Sequence, residues 1–296
     1  MEDNLQKRLV FHMSGEYFEN ERYDLKKLLK GLEAVEALLE KTYVHISGKE
    51  RFTDSDEKNF KITISDVRPG SFKATLDIIM NSVVLPLFPL LTAQEPKDIW
   101  NLLKESYGYL KVILSAKKEG KTVELKNDGN GNTNVIVSGN NNVITVNEIV
   151  PDLSRKLSST FGELNKVANS AGVNSIEFGD QEDGDSILLN NATKDIFEKR
   201  TILESKIYEF EGSIYSIDTF KYKGKLRVTS GNKQIPNGDY KFVFIDGDEV
   251  SIQKIRESLR SSKKFKCLRR IQFNPDNLKE TIVELKIIEI YEDMAA

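Results

Sequence analysis

The densest set of side chains able to do chemistry lies near the C-terminus, where Lys254, Arg256, Arg260, Lys263, Lys264, Lys266, Arg269 and Arg270 are relieved only by Glu257 and interleaved with Phe265 and Phe273. Cations follow phosphates and rings stack on bases, so such a run is one way to hold a single strand of nucleic acid. Phe265, Cys267, Ile271 and Phe273 share one parity of an extended strand, however, which turns the rings inward and leaves a solvated or protein-facing basic patch. Arg256, Arg260, Lys263, Lys264, Lys266, Arg269 and Arg270 are therefore the candidate contacts to a partner, whether protein or nucleic acid. Cys267, the one cysteine, shares the inward parity and reads as a buried small apolar residue rather than a nucleophile.

Other reactive types are sparse. The chain has two histidines, His12 and His45, and neither can be paired with a nucleophile from sequence. Asp180, Glu182, Asp183 and Asp185 cluster around Gly179 and Gly184, but Gly184 stands where an EF-hand would need its third ligand, so the cluster reads as a solvated acidic loop. With no Cys/His zinc spacing, no metal site is expected. Gly129 to Asn134 has glycines but lacks the lysine and helix of a phosphate loop, and no nucleophile elbow or zincin motif is present. The expectation is a protein without catalytic residues and without a cofactor.

The elements that must position these groups fall into four parts, an α+β arrangement. In the first, residues 1–120, Leu5, Leu9, Phe11 and Met13 fall on one side of an extended strand, with Gln6, Arg8 and His12 on the other. Asp24 caps a helix whose Leu25, Leu28, Leu29, Leu32, Val35 and Leu39 recur at helical spacing. Thr42 to Ser47 reads as a strand carrying His45. Phe60, Ile62 and Ile64 alternate in another, and Phe72, Ala74, Leu76 and Ile78 share a face of a fourth. A mostly antiparallel sheet covered by helices buries these faces most economically. The apolar, twice proline-broken stretch Val83 to Leu91 leads to a long helix striped by Ile99, Leu102, Leu103, Leu110, Ile113 and Leu114.

Residues 121–150 form an Asn/Gly-rich β ribbon. Gly131 to Ser138 repeats at Gly139 to Val146, each copy a Gly-Asn turn followed by a β-branched run. Repeats of this kind need about three or more stacked units before neighbours bury a continuous core. Either the ribbon is an oligomerisation stub that stacks with its copies, through Asn132, Asn134, Val135, Ile136, Val137, Asn140, Asn141, Asn142, Val143, Ile144 and Val146, or it is a hairpin packed on its own protomer. A helix starting at Pro151, with Leu153, Leu157, Phe161, Leu164 and Ala168 on one face, could pack beside its symmetry mates, which adds Leu157 and Phe161 to the oligomer contacts.

After a helical connector with the acidic loop, residues 151–204, five extended segments follow in residues 205–296. They are Lys206 to Ile217, Lys225 to Thr229, Tyr240 to Ile245, Lys264 to Phe273 and Thr281 to Ile290, with a short helix at Ile252, Ile255 and Leu259 between the third and fourth. That order fits a small OB-type barrel, and an SH3-like barrel with an inserted helix would give a similar string.

Composition bounds the rest. The chain has 296 residues, 39% of them hydrophobic and 30% charged, with a formal net charge of −3, which makes no global case for nucleic acid or a membrane surface. A single cysteine excludes an internal disulfide framework and suits a reducing cytoplasm. The N-terminus lacks a basic region followed by an apolar run, and no window reaches the roughly 20 apolar residues of a spanning helix.

The turn Arg68-Pro69-Gly70-Ser71-Phe72, the ribbon Ser138 to Val146 (SGNNNVITV) and the small C-terminal barrel together resemble a family of poorly characterised bacterial and phage-encoded proteins. The resemblance implies a role in phage–host conflict and supplies no catalytic residues. The function expected from the whole is a non-enzymatic, homo-oligomeric, cytoplasmic factor that binds a protein partner, as a phage inhibitor of a host defence complex or as a defence component. The alternative is a nucleic-acid-binding protein that uses the basic barrel, and salt dependence separates the two.

Overall fold

The computed structural model describes the chain apart from residues 1–3, 19–22, 69–70, 82–95, 139–141, 181–183, 246–253, 260, 277 and 292–296. Asn140, Asn141, Arg260, Ile252, the proline-broken stretch, Pro69-Gly70 of the turn, and Glu182 and Asp183 of the acidic loop therefore lie outside the described residues. The fold is mixed α+β, in two compact units: Met1–Ser115 with Val123–Glu198 and Pro275–Leu278, and Ala116–Thr122 with Lys199–Asn274 and Lys279–Ala296.

The first unit is built on an antiparallel five-stranded sheet of β1 (Asn4–Ser14), β2 (Phe60–Arg68), β3 (Phe72–Asn81), β7 (Ser175–Asp180) and β8 (Ser186–Asn190), in the order β2-β3-β1-β7-β8. One face carries Leu9, Phe11, Met13, Phe72, Ala74, Leu76, Ile176 and Phe178, all buried. Helix α1 (Leu25–Ile46) lies against it at Gly31, where an added Cβ would stand 2.6 Å from Met13 Cε. Helix α2 (Pro96–Lys118) reaches the same face through Trp100, edge-on to Phe178 at 6.0 Å, and Tyr107 Oη donates to the Leu188 carbonyl. Helix α3 (Val150–Ala168) packs on α1.

Three expectations change here. Thr42 to Ser47 is the last turn and cap of α1 rather than a strand, because Thr42, Tyr43 and Ile46 continue the buried helical stripe. Thr42 Oγ1 turns back to the Leu38 carbonyl and Ser47 Oγ to that of Tyr43, so the β-branched run is held helical by its own hydroxyls and by burial. Ile64 is 49% exposed, since β2 is the sheet edge and only Phe60 of its alternating set is buried. Residues 151–198 of the connector are part of the first unit, because β7 pairs with β1 and β8 with β7, while Arg200 already begins the first strand of the second unit.

That pairing also corrects the acidic loop. Glu177 to Asp180 form strand β7, and Asp180, fully buried, ion-pairs with the buried Lys7 at 2.5 Å. Gly179 is required there, because a Cβ would fall 2.3 Å from the Asp185 carbonyl oxygen.

The ribbon is a three-stranded antiparallel meander, β4 (Val123–Asn127), β5 (Asn132–Val137) and β6 (Asn142–Asn147). Thr133, Val135, Val137 and Val146 point to one face and are 9% exposed or less within the single chain. Leu157 and Phe161 of α3 are likewise fully buried in their own protomer. The side chains of Val135, Val137, Val146, Leu157 and Phe161 are thus taken up by the chain's own core.

The second unit is a closed barrel of β9 (Arg200–Asp218), β10 (Lys223–Ser230), β11 (Gly238–Phe244), β12 (Lys263–Asn274) and β13 (Lys279–Tyr291). Its order is β10-β11-β13-β12-β9, with β9 closing onto β10 and β11 running parallel to β13. A helical turn at residues 254–257 lies between β11 and β12 and inserts the buried Ile255. A parallel third-to-fifth strand pair with that turn is OB connectivity rather than an SH3-like meander. Phe210 and Phe265 stack at 5.1 Å inside the barrel.

Candidate functional site

The residues named from sequence are distributed unevenly. Phe265, Cys267, Ile271 and Phe273 do face the barrel interior, and burial pushes the Cys267 thiol up to about 12, which removes it as a nucleophile at neutral pH. The cations on the other parity of β12 are largely matched by carboxylates on the strands beside it. Lys264 lies 3.8 Å from Glu211, Lys266 2.9 Å from Glu289 and Arg270 2.8 Å from Glu284. Arg269 is not on the surface at all. It is 7% exposed, bonded to Glu204 at 2.6 Å and to the Gln234 carbonyl, with its guanidinium 4.4 Å from the Tyr208 ring. Arg256 is exposed on the helical turn. The basic run is a structural ladder, and its sequence density overstates its free charge.

A different face of the barrel gathers unmatched cations with exposed rings. On β10, Leu226 and Val228 point inward while Lys223, Lys225 and Arg227 point out; on β11, Phe242 and Phe244 point inward while Asp239, Lys241 and Val243 point out. The register sets Lys225 opposite Lys241 and Arg227 opposite Asp239. Arg227 grips Asp239 with two bonds, of 2.7 and 3.0 Å, which hold the Asp239 carboxyl below its ordinary range. Among the described residues, Lys221, Lys223, Lys225 and Lys241 have no carboxylate at ion-pair distance.

The rings come from β9 and the turn after it. Lys225 pairs with Ser216 and Leu226 with Ile214, so Tyr215 is the extra residue of a bulge and its ring is turned out, 45% exposed. Gly224 permits this local approach of β9 and β10, since a Cβ would lie 2.0 Å from the Ser216 carbonyl oxygen. The Arg227 guanidinium sits 5.9 Å from the Tyr215 ring. Beyond the bulge, Asp218 Oδ1 accepts from the backbone N–H groups of Phe220 and Lys221, at 3.0 and 3.1 Å, and the Tyr222 carbonyl accepts from Phe244 N. The turn so fixed presents Phe220 with its side chain 95% exposed.

Sequence reasoning missed this face. Its signal was local: the Asp218-Thr219-Phe220 turn and the alternation of lysine with apolar residues along β10, hidden by the denser basic run forty residues on.

Both histidines belong to the first unit. His12 Nε2 lies 2.6 Å from Ser71 Oγ on the sheet face opposite the helices. His45 ends α1 rather than occupying a strand, with Lys156 Nζ 2.9 Å from its Nδ1. Among the described residues no group of three or more His, Cys, Asp or Glu is arranged to hold a metal ion, and no helix is long and apolar enough to cross a membrane. Of the ribbon residues, Ile136 and Val143 are direct cross-strand partners on the outer face, half-buried and 54% exposed, beside an Asn134–Thr145 side-chain bond of 2.8 Å. Ile144 is half-buried on the inner face, opposite Val135, and Asn132 and Asn142 pair with Asn147 and Val137. No family model, no curated protein and no solved structure matches the chain.

Proposed function

We propose that this protein is a binding factor that holds single-stranded nucleic acid on the β9–β10–β11 face of its barrel, without bond chemistry of its own. The observation that carries this is Phe220, 95% exposed on a turn that Asp218 fixes. Keeping a phenylalanine out of a core forgoes roughly 1.5–3 kcal/mol of burial, and a ring presented to water from a fixed turn can serve as a stacking platform. Tyr215 supplies a second ring, and Lys221, Lys223, Lys225 and Lys241 supply charge for a backbone running across the strands. OB barrels bind oligonucleotides through the equivalent second and third strands and the loop before them, which supports the same face here. A duplex hides the ring faces of its bases, so the arrangement favours a single strand.

The test is fluorescence anisotropy of a labelled oligothymidine across a salt series. Each phosphate contact on a single strand contributes a slope of about 0.7 in log K against log salt, so the triple variant Lys223→Ala/Lys225→Ala/Lys241→Ala flattens the slope by about 2. An unchanged slope rejects the reading.

A second reading, assembly through the ribbon, has its own support. The outer face centres on the Ile136–Val143 pair, and β6, an edge strand of the meander, has no charge or proline along Asn142–Asn147. Edges without such protection are templates for another chain. Light scattering of Val143→Lys tests it, because that side chain is exposed and the substitution leaves the Val135 face intact: a multimer that becomes a monomer supports the ribbon contact. A nucleic-acid binder or an assembling factor each fits the phage–host conflict that the sequence resemblance implies.

A further inference from the structure

The antiparallel helices α1 and α3 enclose a groove of about 700 Å³ in the first unit. Its floor is Ala34, Ala37 and Val167, small or short side chains between two walls of helix, and its rim carries Lys26, Lys30 and Lys166, all exposed. None of these three lysines has a carboxylate at ion-pair distance among the described residues. The ends are fixed by cross-helix bonds, Lys27 Nζ to the Ala171 carbonyl at one and Lys41 Nζ to Thr160 Oγ1, 2.6 Å, at the other. From Lys27 to Lys41 the groove runs roughly 21 Å at about 1.5 Å per residue, four turns of helix. Counting Glu33 and Glu163, the lining holds five lysines against two glutamates, a net charge of +3, of which Asp24 answers Lys27 at 3.6 Å.

We infer that this groove seats an amphipathic helix of a partner protein, acidic along its flanks and apolar along the stripe that meets the floor. Small floor residues let a third helix approach closely, in the manner of helix-in-groove recognition, and the rim selects its charge. A basic helix would meet the lysine rim with like charge. A small anion would leave most of the groove's length and its apolar floor unused.

The probe is a fluorescein-labelled 14-residue helical peptide with Leu and Ala on one stripe and Glu on its flanks, titrated into the full chain. A peptide with the same stripe but Lys for Glu is the comparison. The acidic peptide is expected to saturate and the basic one not. Lys26→Glu/Lys30→Glu/Lys166→Glu should weaken binding about tenfold or more, as reversal of rim charges predicts. Ala37→Trp, which fills the groove without touching charge, should do the same, with both variants checked for native circular dichroism. Failure of the acidic peptide to saturate overturns the inference. So does a loss on charge reversal that the Trp plug does not reproduce, which would mean surface attraction alone. Loss of oligothymidine binding in the triple reversal, with peptide binding kept, would assign these lysines to nucleic acid instead and also overturn it.

Discussion

Replacing Phe220 with alanine separates a binding ring from a structural one more cleanly than any other change in this chain. The side chain is 95% exposed, and the turn beneath it is held by Asp218 Oδ1 through backbone N–H groups that alanine keeps. Folding should therefore be unaffected to within about 0.5 kcal/mol, the usual range for surface substitutions. If the ring stacks on a base, its removal costs about 1–3 kcal/mol of binding, which is roughly a 5- to 150-fold rise in Kd. Because the ring carries no charge, the slope of log K against log salt should not move, in contrast with the lysine variants. The assay pairs urea unfolding with oligothymidine anisotropy at three salt concentrations, and Phe220→Trp should bind at least as well as the native chain. A Kd within twofold of native for Phe220→Ala, at unchanged stability, would refute the argument that the exposed ring is there to stack. A loss of equal size for duplex DNA would refute the preference for single strands.

Other outcomes follow from the same geometry. Lys266→Ala should leave the salt slope of oligonucleotide binding unchanged, because Glu289 already matches that charge at 2.9 Å. Asp180→Ala removes the carboxylate that ion-pairs with the buried Lys7 and should lower stability by about 3–5 kcal/mol in urea unfolding, whereas Lys7→Met with Asp180→Leu should recover most of the loss. Burial first, and the neighbouring Lys156 second, hold His45 below its ordinary value. The unfolded chain then binds more protons than the folded one as pH falls below about 6.5, so Tm should drop from pH 7 to 5, and less steeply in His45→Gln.

How far the fold was legible depends on which residues set each element. The barrel was readable because turn glycines and inward parity mark its strands, and Phe265, Cys267, Ile271 and Phe273 all point where alternation places them. Thr42 to Ser47 was not, because β-branched residues favour strands locally while the burial of Tyr43 and Ile46, a tertiary fact, makes the segment helical. Strands β7 and β8 were hidden for a related reason. Asp180 reads as solvent-exposed until Lys7, far away in sequence, is placed beside it.

The site was less legible than the fold because charge in a sequence is counted and charge on a surface is paired. Along β12 the cations are conspicuous in one dimension, yet the strands on either side supply Glu204, Glu211, Glu280, Glu284 and Glu289, so most of that charge is already answered. Along β10 and β11 the lysines are fewer, but Lys225 and Lys241 stand directly opposite each other, with Asp239, the carboxylate one pair along, gripped by Arg227. Like charges opposed on neighbouring strands are destabilising by a few tenths of a kcal/mol or more. A fold that tolerates this beside an exposed ring bears a cost that an anionic ligand would relieve, and pairing register, which no composition count contains, is what makes that cost visible.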